Sequence, residues 1–504
     1  MTDEQSKHSH DGDPHACKGH CRQSGCSPSG QNQSGHSPSG QNQFGQNQFG
    51  QSLSGDNRLR QGHGSARMFS EPPVPAELLE QCRIGGIILA AGEASRMGRC
   101  KAVLPLGDGA EPTVLQAALQ ALQGGCNGPV VVVTGFHEAA VRAEAVRLGL
   151  PVVHNPDAAS GMFSSVCAGI RALMQHADPL SDSGRVSNSG ISGDSGVSSA
   201  SGDSGLYSPS DVPPDALFVL PVDIPLVRPE TCALLTESFA ARRDAVTYPT
   251  FDGERGHPPL LRRDVAEAAL RHTGEGGLRA VLEQVAAQGG TECDVPVADA
   301  GILADMDTPE AYGVVRKHYS SRNVPSEAEA AALLDLAQTL PHTRAHGKAV
   351  ADAALCMARA LRAVRGDAPA AINLPLVYAA ALLHDICKGA KHHERAGGLF
   401  LARYGFAEAG RIVAAHRDID PAFVERAGER ELVMLADKFV RGTRLVPIAE
   451  RYDERLREWA HDAQAVADIG GRKERALALL ALLERELGTD VHALLQRSGI
   501  WKTA

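Results

Sequence analysis

Residues 85–101 read GGIILAAGEASRMGRCK. The run GGIIL is apolar and rich in isoleucine, the composition of a short buried strand, and it breaks abruptly at Gly92. Gly92 and Gly98 allow tight turns, while Arg96 and Lys101 place two cations just beyond the strand. A strand that empties into such a loop and then heads for a helix gathers backbone N–H groups and positive charge at one point. That arrangement wraps a polyphosphate. The loop has neither the G-x-x-x-x-G-K-[ST] of a P-loop nor the G-x-G-x-x-G of a dinucleotide fold.

Outward from this stretch the same rhythm continues. VLQAALQALQG (114–124), PVVVVTG (129–135), HEAAVRAEAVRLG (137–149) and PVVHN (151–155) alternate helical and strand patterns, so a doubly wound α/β domain with a parallel sheet is expected over 83–320. A Ser/Gly block at 178–213, with SGDSG twice, interrupts it before the strand ALFVLPVD (216–223); loop-closure cost grows slowly with length, so this reads as a disordered insertion. Beyond residue 320 strand patterns vanish and apolar residues recur every three to four positions, which predicts a separate all-α domain over 321–504. Residues 1–82 carry the near-repeat SGCSPSGQNQ/SGHSPSGQNQ and too few apolar groups to offset ordering entropy, and read as a disordered tail. Its His8, His10, His15, Cys17, His20, Cys21 and Cys26 fit no closed zinc spacing, so they read as incidental composition.

A chain of 504 residues exceeds one ordinary core, in keeping with two folded domains. With Lys+Arg 50 against Asp+Glu 60 it is mildly acidic, which argues against nucleic acid as its main partner. Its 11 scattered cysteines suit a reducing cytoplasm. The N-terminus lacks the basic and apolar regions of a signal peptide, and the apolar run 476–483 is far short of a bilayer span, so a cytoplasmic protein without membrane contact is expected.

LAAG followed by SRMG and a lysine resembles the signature of MobA-like nucleotidyltransferases, the molybdopterin cytidylyl- and guanylyltransferases. VVVVTG (130–135), HNPDAASGMFSSVCAGI (154–170), LPVDIPLV (220–227), GERGHPPLL (253–261) and ADMDTPEAY (304–312) follow in the family's order. LAAG and GHP favour the cytidylyl branch. The resemblance implies transfer of CMP from CTP to molybdopterin with release of pyrophosphate; another nucleoside triphosphate, another small phosphorylated acceptor, or a role as a molybdenum-cofactor carrier are the alternatives. A molybdoenzyme or its maturation factor would be the protein partner. Asp223, at the end of FVLPVD where open α/β sheets bind ligands, would hold Mg²⁺ with Asp305 or Asp307. Arg96 and Lys101 would offset charge on the leaving pyrophosphate. By resemblance, Leu89, Ala90, Ala91, Gly92, Gly98, Thr134, Gly161, Ser164, Ser165 and Gly169 meet the nucleotide, and Gly256, His257 and Pro258 the acceptor phosphate.

In the helical part, His346, the doublet His384–Asp385 and Asp437 resemble the H…HD…D pattern of HD-superfamily metal-dependent phosphohydrolases. His393 and His416 fall where HD proteins with two metals carry further ligands, so the resemblance implies one or two divalent ions (Mn²⁺, Fe or similar) bridged by Asp385. Lys388, one turn past His384, would neutralise substrate phosphate, and His392 is read as a bystander. A nucleotide-sensing domain without turnover is the alternative.

Overall fold

The computed structural model describes residues 74–174, 212–366 and 372–501, all inside one compact unit, Arg60–Ala504. The tail expected over 1–82 and the insertion expected over 178–213 therefore lie largely outside the described residues. Within the bounds expected for the tail, Ala76–Glu80 is helical and Cys82 is fully buried.

Strand β1 (Ile84–Ala90) is buried along its whole length and lies between β2 (Val130–Thr134) and β4 (Ala216–Pro221), parallel to both. β3 (Val152–His154) extends the sheet on the β2 side. Side chains alternate strictly. Ile84, Ile88 and Ala90 join one apolar cluster with the helices Val114–Gln123 and Pro229–Arg242, while Ile87 and Leu89 join another with the helix Met162–Met174. Both faces are covered, which is why these strands read as unbroken apolar runs.

The second half of the sheet departs from the all-parallel expectation. β5 (Val246–Phe251) turns into β6 (Glu254–Arg255), and β7 (Leu260–Arg262) runs antiparallel to both β4 and β5; β8 (Glu292–Pro296) returns parallel to β5. Antiparallel neighbours need only a tight turn and no crossover helix. Asp252 and Gly253 supply it, both at positive φ (51° and 80°), the demand of a two-residue hairpin.

The rest of the described chain is helical except for a hairpin of two-residue strands, Val440–Arg441 and Arg444–Leu445. Helices Glu327–Leu336, Pro341–Arg365, Leu374–Leu383, His393–Arg403, Ala407–Ala415, Glu429–Phe439 and Ala463–Leu487 surround a core that includes Leu333, Met357, Val377, Phe406, Leu435 and Leu479. Ser326 and Glu329 close a capping box at the first of them. Arg228, from the α/β part, is buried against this layer: it donates to Glu329 Oε1 (2.8 Å) and to the Arg322 carbonyl (2.6 Å), with its guanidinium 4.3 Å from the Phe406 ring centroid. No helix among the described residues is long and apolar enough to cross a membrane.

Candidate active sites

The C-terminal ends of β1, β2 and β4 open into a cavity of about 390 Å³. Of the residues expected to meet nucleotide, Leu89, Ala90, Ala91, Gly92, Gly161 and Ser165 line it, together with Lys101 and Asp223. At its β4 side Lys101 Nζ lies 2.6 Å from Asp307 Oδ1 and 3.1 Å from Asp223 Oδ2, and Arg96 reaches Asp307 Oδ2 at 2.9 Å. Burial works against the Lys101 charge, but its bonds to Asp307 and Asp223 outweigh it and raise the ammonium above its ordinary range. Lys101, mostly buried, organises the cluster; Arg96 is largely exposed, and pairs of that kind add about 0–1 kcal/mol. Two carboxylates already sharing one cation are the hard-oxygen donors that suit Mg²⁺. Asp305 is exposed, and among the described residues Asp307 is the one that joins Asp223 on Lys101.

His257 lies near enough to feel Asp223: burial lowers its pKa and the Asp223 charge partly restores it. Its backbone N–H donates to the Ile302 carbonyl (3.0 Å), and Gly256 and Pro258 beside it are buried. A Cβ at Gly256 would stand 2.6 Å from Ile302, so this glycine is fixed by close packing. Four of the expected nucleotide residues do not line the cavity. Gly98 turns the loop back, its N–H bonded to the Ala94 carbonyl. Thr134 is buried, its hydroxyl turned to the Val153 carbonyl at 3.5 Å. Ser164 donates to main-chain carbonyls of Gly161 and Asp157. Gly169 lets its helix sit on the sheet, since a Cβ there would stand 2.6 Å from Ile87 Cγ2.

Asn155 is a residue that reading by motif passed over. Buried to 3% exposure, its amide donates to both Ser164 Oγ and Ser165 Oγ at 2.8 Å, holding the turn around Gly161. The HNPD stretch contained it, but only the fold brings it under the serines.

The histidines of the helical part converge. Asp385 Oδ2 faces His384 Nε2 (3.4 Å) and His346 Nε2 (3.8 Å), while Oδ1 faces His393 Nε2 (3.3 Å) and His416 Nε2 (3.9 Å). Two groups of metal-ligating atoms result, His346–His384–Asp385 and Asp385–His393–His416, sharing one carboxylate. Asp437 Oδ1 adds to the first at 3.3 Å from His346 Nε2 and 3.7 Å from His384 Nε2, its other oxygen held by Lys438 at 2.6 Å. The rings are aimed from behind: Nδ1 of His346, His384 and His416 bonds the carbonyls of Gly442, Ala381 and Val413 at 2.7–2.9 Å. These bonds fix the ring orientations so that each Nε2 faces the centre, where it would ligate a cation on giving up its proton. His384 Nε2 is buried with no hydrogen-bond partner, which fits an atom that serves a cation.

Electrostatics match a cation site. Burial disfavours the Asp385 charge, yet His384, His393 and Lys388 hold its carboxyl far below the usual range; Asp437 is likewise depressed despite burial, chiefly by Lys438 and His346. Burial and the neighbouring His384 push His416 down to about 4, so it is neutral and able to ligate at pH 7. Lys388, expected to face substrate phosphate, places its ammonium 2.6 Å from Asp385 Oδ2. His392 turns away at positive φ (54°) toward Glu394. Glu394, unremarked in the sequence, lies 3.5 Å from His393 Nδ1.

Comparison with known proteins accords with both halves. Residues 86–289 match the family model described as the MobA-like NTP transferase domain, and residues 343–442 match the HD domain. The chain joins a MobA-like NTP transferase domain to an HD domain. The molybdenum cofactor cytidylyltransferase of Escherichia coli (strain K12) is 23% identical over 235 residues, 46% of this chain and 96% of that protein. A bifunctional IPC transferase and DIPP synthase of Rubrobacter xylanophilus is 38% identical over 93 residues, 18% of this chain and 21% of that protein. Among solved structures, a nucleotidyl transferase from Methanothermobacter thermautotroptrophicus is 20% identical, covering 48% of this chain and 99% of its own, with a TM-score of 0.34. By the family match residues 86–289 are a nucleotidyltransferase domain, and the HD domain implies a divalent metal, for which the converging histidines and Asp385 are the candidate site.

Proposed function

We propose that the transferase domain moves CMP from CTP to the terminal phosphate of molybdopterin, releasing pyrophosphate, and that the HD domain hydrolyses a phosphoester or phosphoanhydride. The observation that carries the first reading is Lys101 joining Asp223 and Asp307 at one end of a nucleotide-sized cavity. In this reading the acceptor phosphate oxygen attacks the α-phosphorus, the bond to the bridging oxygen breaks, and the pyrophosphate leaves with its charge met by Lys101 and Arg96. Asp223 and Asp307 would hold Mg²⁺, which when bound neutralises phosphate charge. Backbone N–H groups of the turn that follows β1, from Ala91 onward, would cradle the phosphates, and His257, near enough to feel the Asp223 charge, would meet the acceptor phosphate. LAAG and the Gly256–Pro258 triplet favour cytidine.

For the HD domain, Asp385, Asp437 and the four histidines would hold divalent ions, which when bound supply a hydroxide nucleophile and polarise phosphorus. Lys388 and Lys438 keep the two aspartates ionised. We assign the two activities to units dividing near residue 320, acting in the cytoplasm and serving a molybdoenzyme or its maturation factor. The test is pyrophosphate release by the full chain with CTP, GTP, UTP or ATP, Mg²⁺ and molybdenum cofactor. Release with CTP, dependent on the cofactor, is expected; no release with any of the four overturns the reading.

A further inference from the structure

Two large apolar side chains stand exposed on the wall of the transferase cavity, Phe136 at 50% and Met162 at 61%. Single exposed hydrophobics are ordinary, but two on one wall of a ligand cavity offer an apolar slot. Neither is on a loose loop. The Phe136 N–H reaches the Ala91 carbonyl (3.4 Å), the His137 ring meets the Glu93 carbonyl (2.9 Å), and Gly135 passes so close that a Cβ would stand 2.7 Å from both Ala91 O and Ala158 Cβ. Met162 follows Gly161, whose φ of +101° is glycine territory, and begins the helix that Asn155 pins through Ser165.

Their place in the sheet identifies what they face. Phe136 leaves β2 and Asp223 leaves β4, with β1 between, so the two strand ends are about 10 Å apart. That is roughly the reach from phosphate to base in a nucleotide. His257 precedes β7, on the opposite side of β4, so the acceptor approaches Asp223 from the other direction. We propose that Phe136 and Met162 form the nucleobase site of this transferase, the phenyl ring stacking on the face of the base and the methionine closing the other side. An aromatic face and a polarisable thioether bind a flat heterocycle through its π-surface. The inference rests on the nucleotidyltransferase reading. A pterin ring has the same flat chemistry, but the position of His257 puts the acceptor elsewhere.

Calorimetric titration of the full chain with CTP and Mg²⁺, and separately with inorganic triphosphate, tests this. Stacking losses on truncation to alanine predict that Phe136→Ala weakens CTP about tenfold and leaves triphosphate unchanged. Phe136→Tyr should keep CTP affinity within about twofold, and Met162→Ala should lie between the two other variants. CTP binding unaltered in Phe136→Ala overturns the inference, as does an equal loss of triphosphate, which would mark collapse of the phosphate loop. Weakened binding of a pterin phosphate with CTP unaffected also overturns it. If the unaltered protein binds triphosphate and CTP equally, the base has no site; if it binds neither, the transferase reading itself falls.

Discussion

Replacing Asp385 by alanine removes the carboxylate that two metal-ligating groups share. One oxygen serves His346 and His384 and the other serves His393 and His416, so the variant loses an anionic ligand at both positions, whereas His393→Ala touches one. Loss of groups that merely orient ligands weakens metal binding about 10–100-fold, so loss of a direct ligand should exceed about 100-fold. That is about 2.7 kcal/mol of metal-linked stability, or roughly 5–11 °C in a domain of this size. Scanning calorimetry of the full chain, stripped with chelator and then given Mn²⁺, reads the shift, and elemental analysis reads the metal. The unaltered protein should gain stability with Mn²⁺, His393→Ala should gain less, and Asp385→Ala should gain none. An Asp385→Ala protein that keeps its metal and its Mn²⁺-dependent shift would refute a shared-carboxylate centre.

Lys101→Ala should lower the transferase kcat about 10²–10³-fold, the scale for removing one preorganised charge donor, and Arg96→Ala should cost less because that side chain is largely exposed; steady-state kinetics decide the ranking. Gly169→Ala should destabilise by about 1–3 kcal/mol through overpacking on Ile87 while leaving the KM for nucleotide unchanged, and a raised KM at normal stability would restore a ligand contact. Glu486, clamped by Arg365 and Arg426, has its pKa lowered from 4.5 to about 2. A depressed carboxylate stabilises above its unfolded value, so Glu486→Gln should melt below the unaltered protein at pH 7, and the gap should close as pH falls from about 4.5 toward 2. A gap that persists at pH 2 would contradict this linkage.

The half of the sheet around β1 was legible because both of its faces are buried, which turns strands into unbroken apolar runs. The β5–β7 half was not: VTYPTF carries a proline, β7 has three residues, and their pairing is set by a hairpin whose Asp252–Gly253 signal is local and short. The HD-domain histidines and aspartates that converge were legible as candidate ligands in order along the chain. What aims them was not, because the acceptors behind His346, His384 and His416 are main-chain carbonyls, which every residue possesses. Asp305 and Asp307 lie two apart in a loop without periodicity, so only the reach of Lys101 separates them. Gly169 shares its motif with true cavity residues, and only the position of Ile87 shows that it serves packing.

Mass analysis of the acceptor after incubation with CTP and Mg²⁺ tests the transferase reading most directly. The full chain should add one CMP to molybdopterin and release one pyrophosphate, and Lys101→Ala should fall behind by orders of magnitude. An acceptor left unmodified while CTP is consumed, or equal modification by the Lys101→Ala protein, would contradict it.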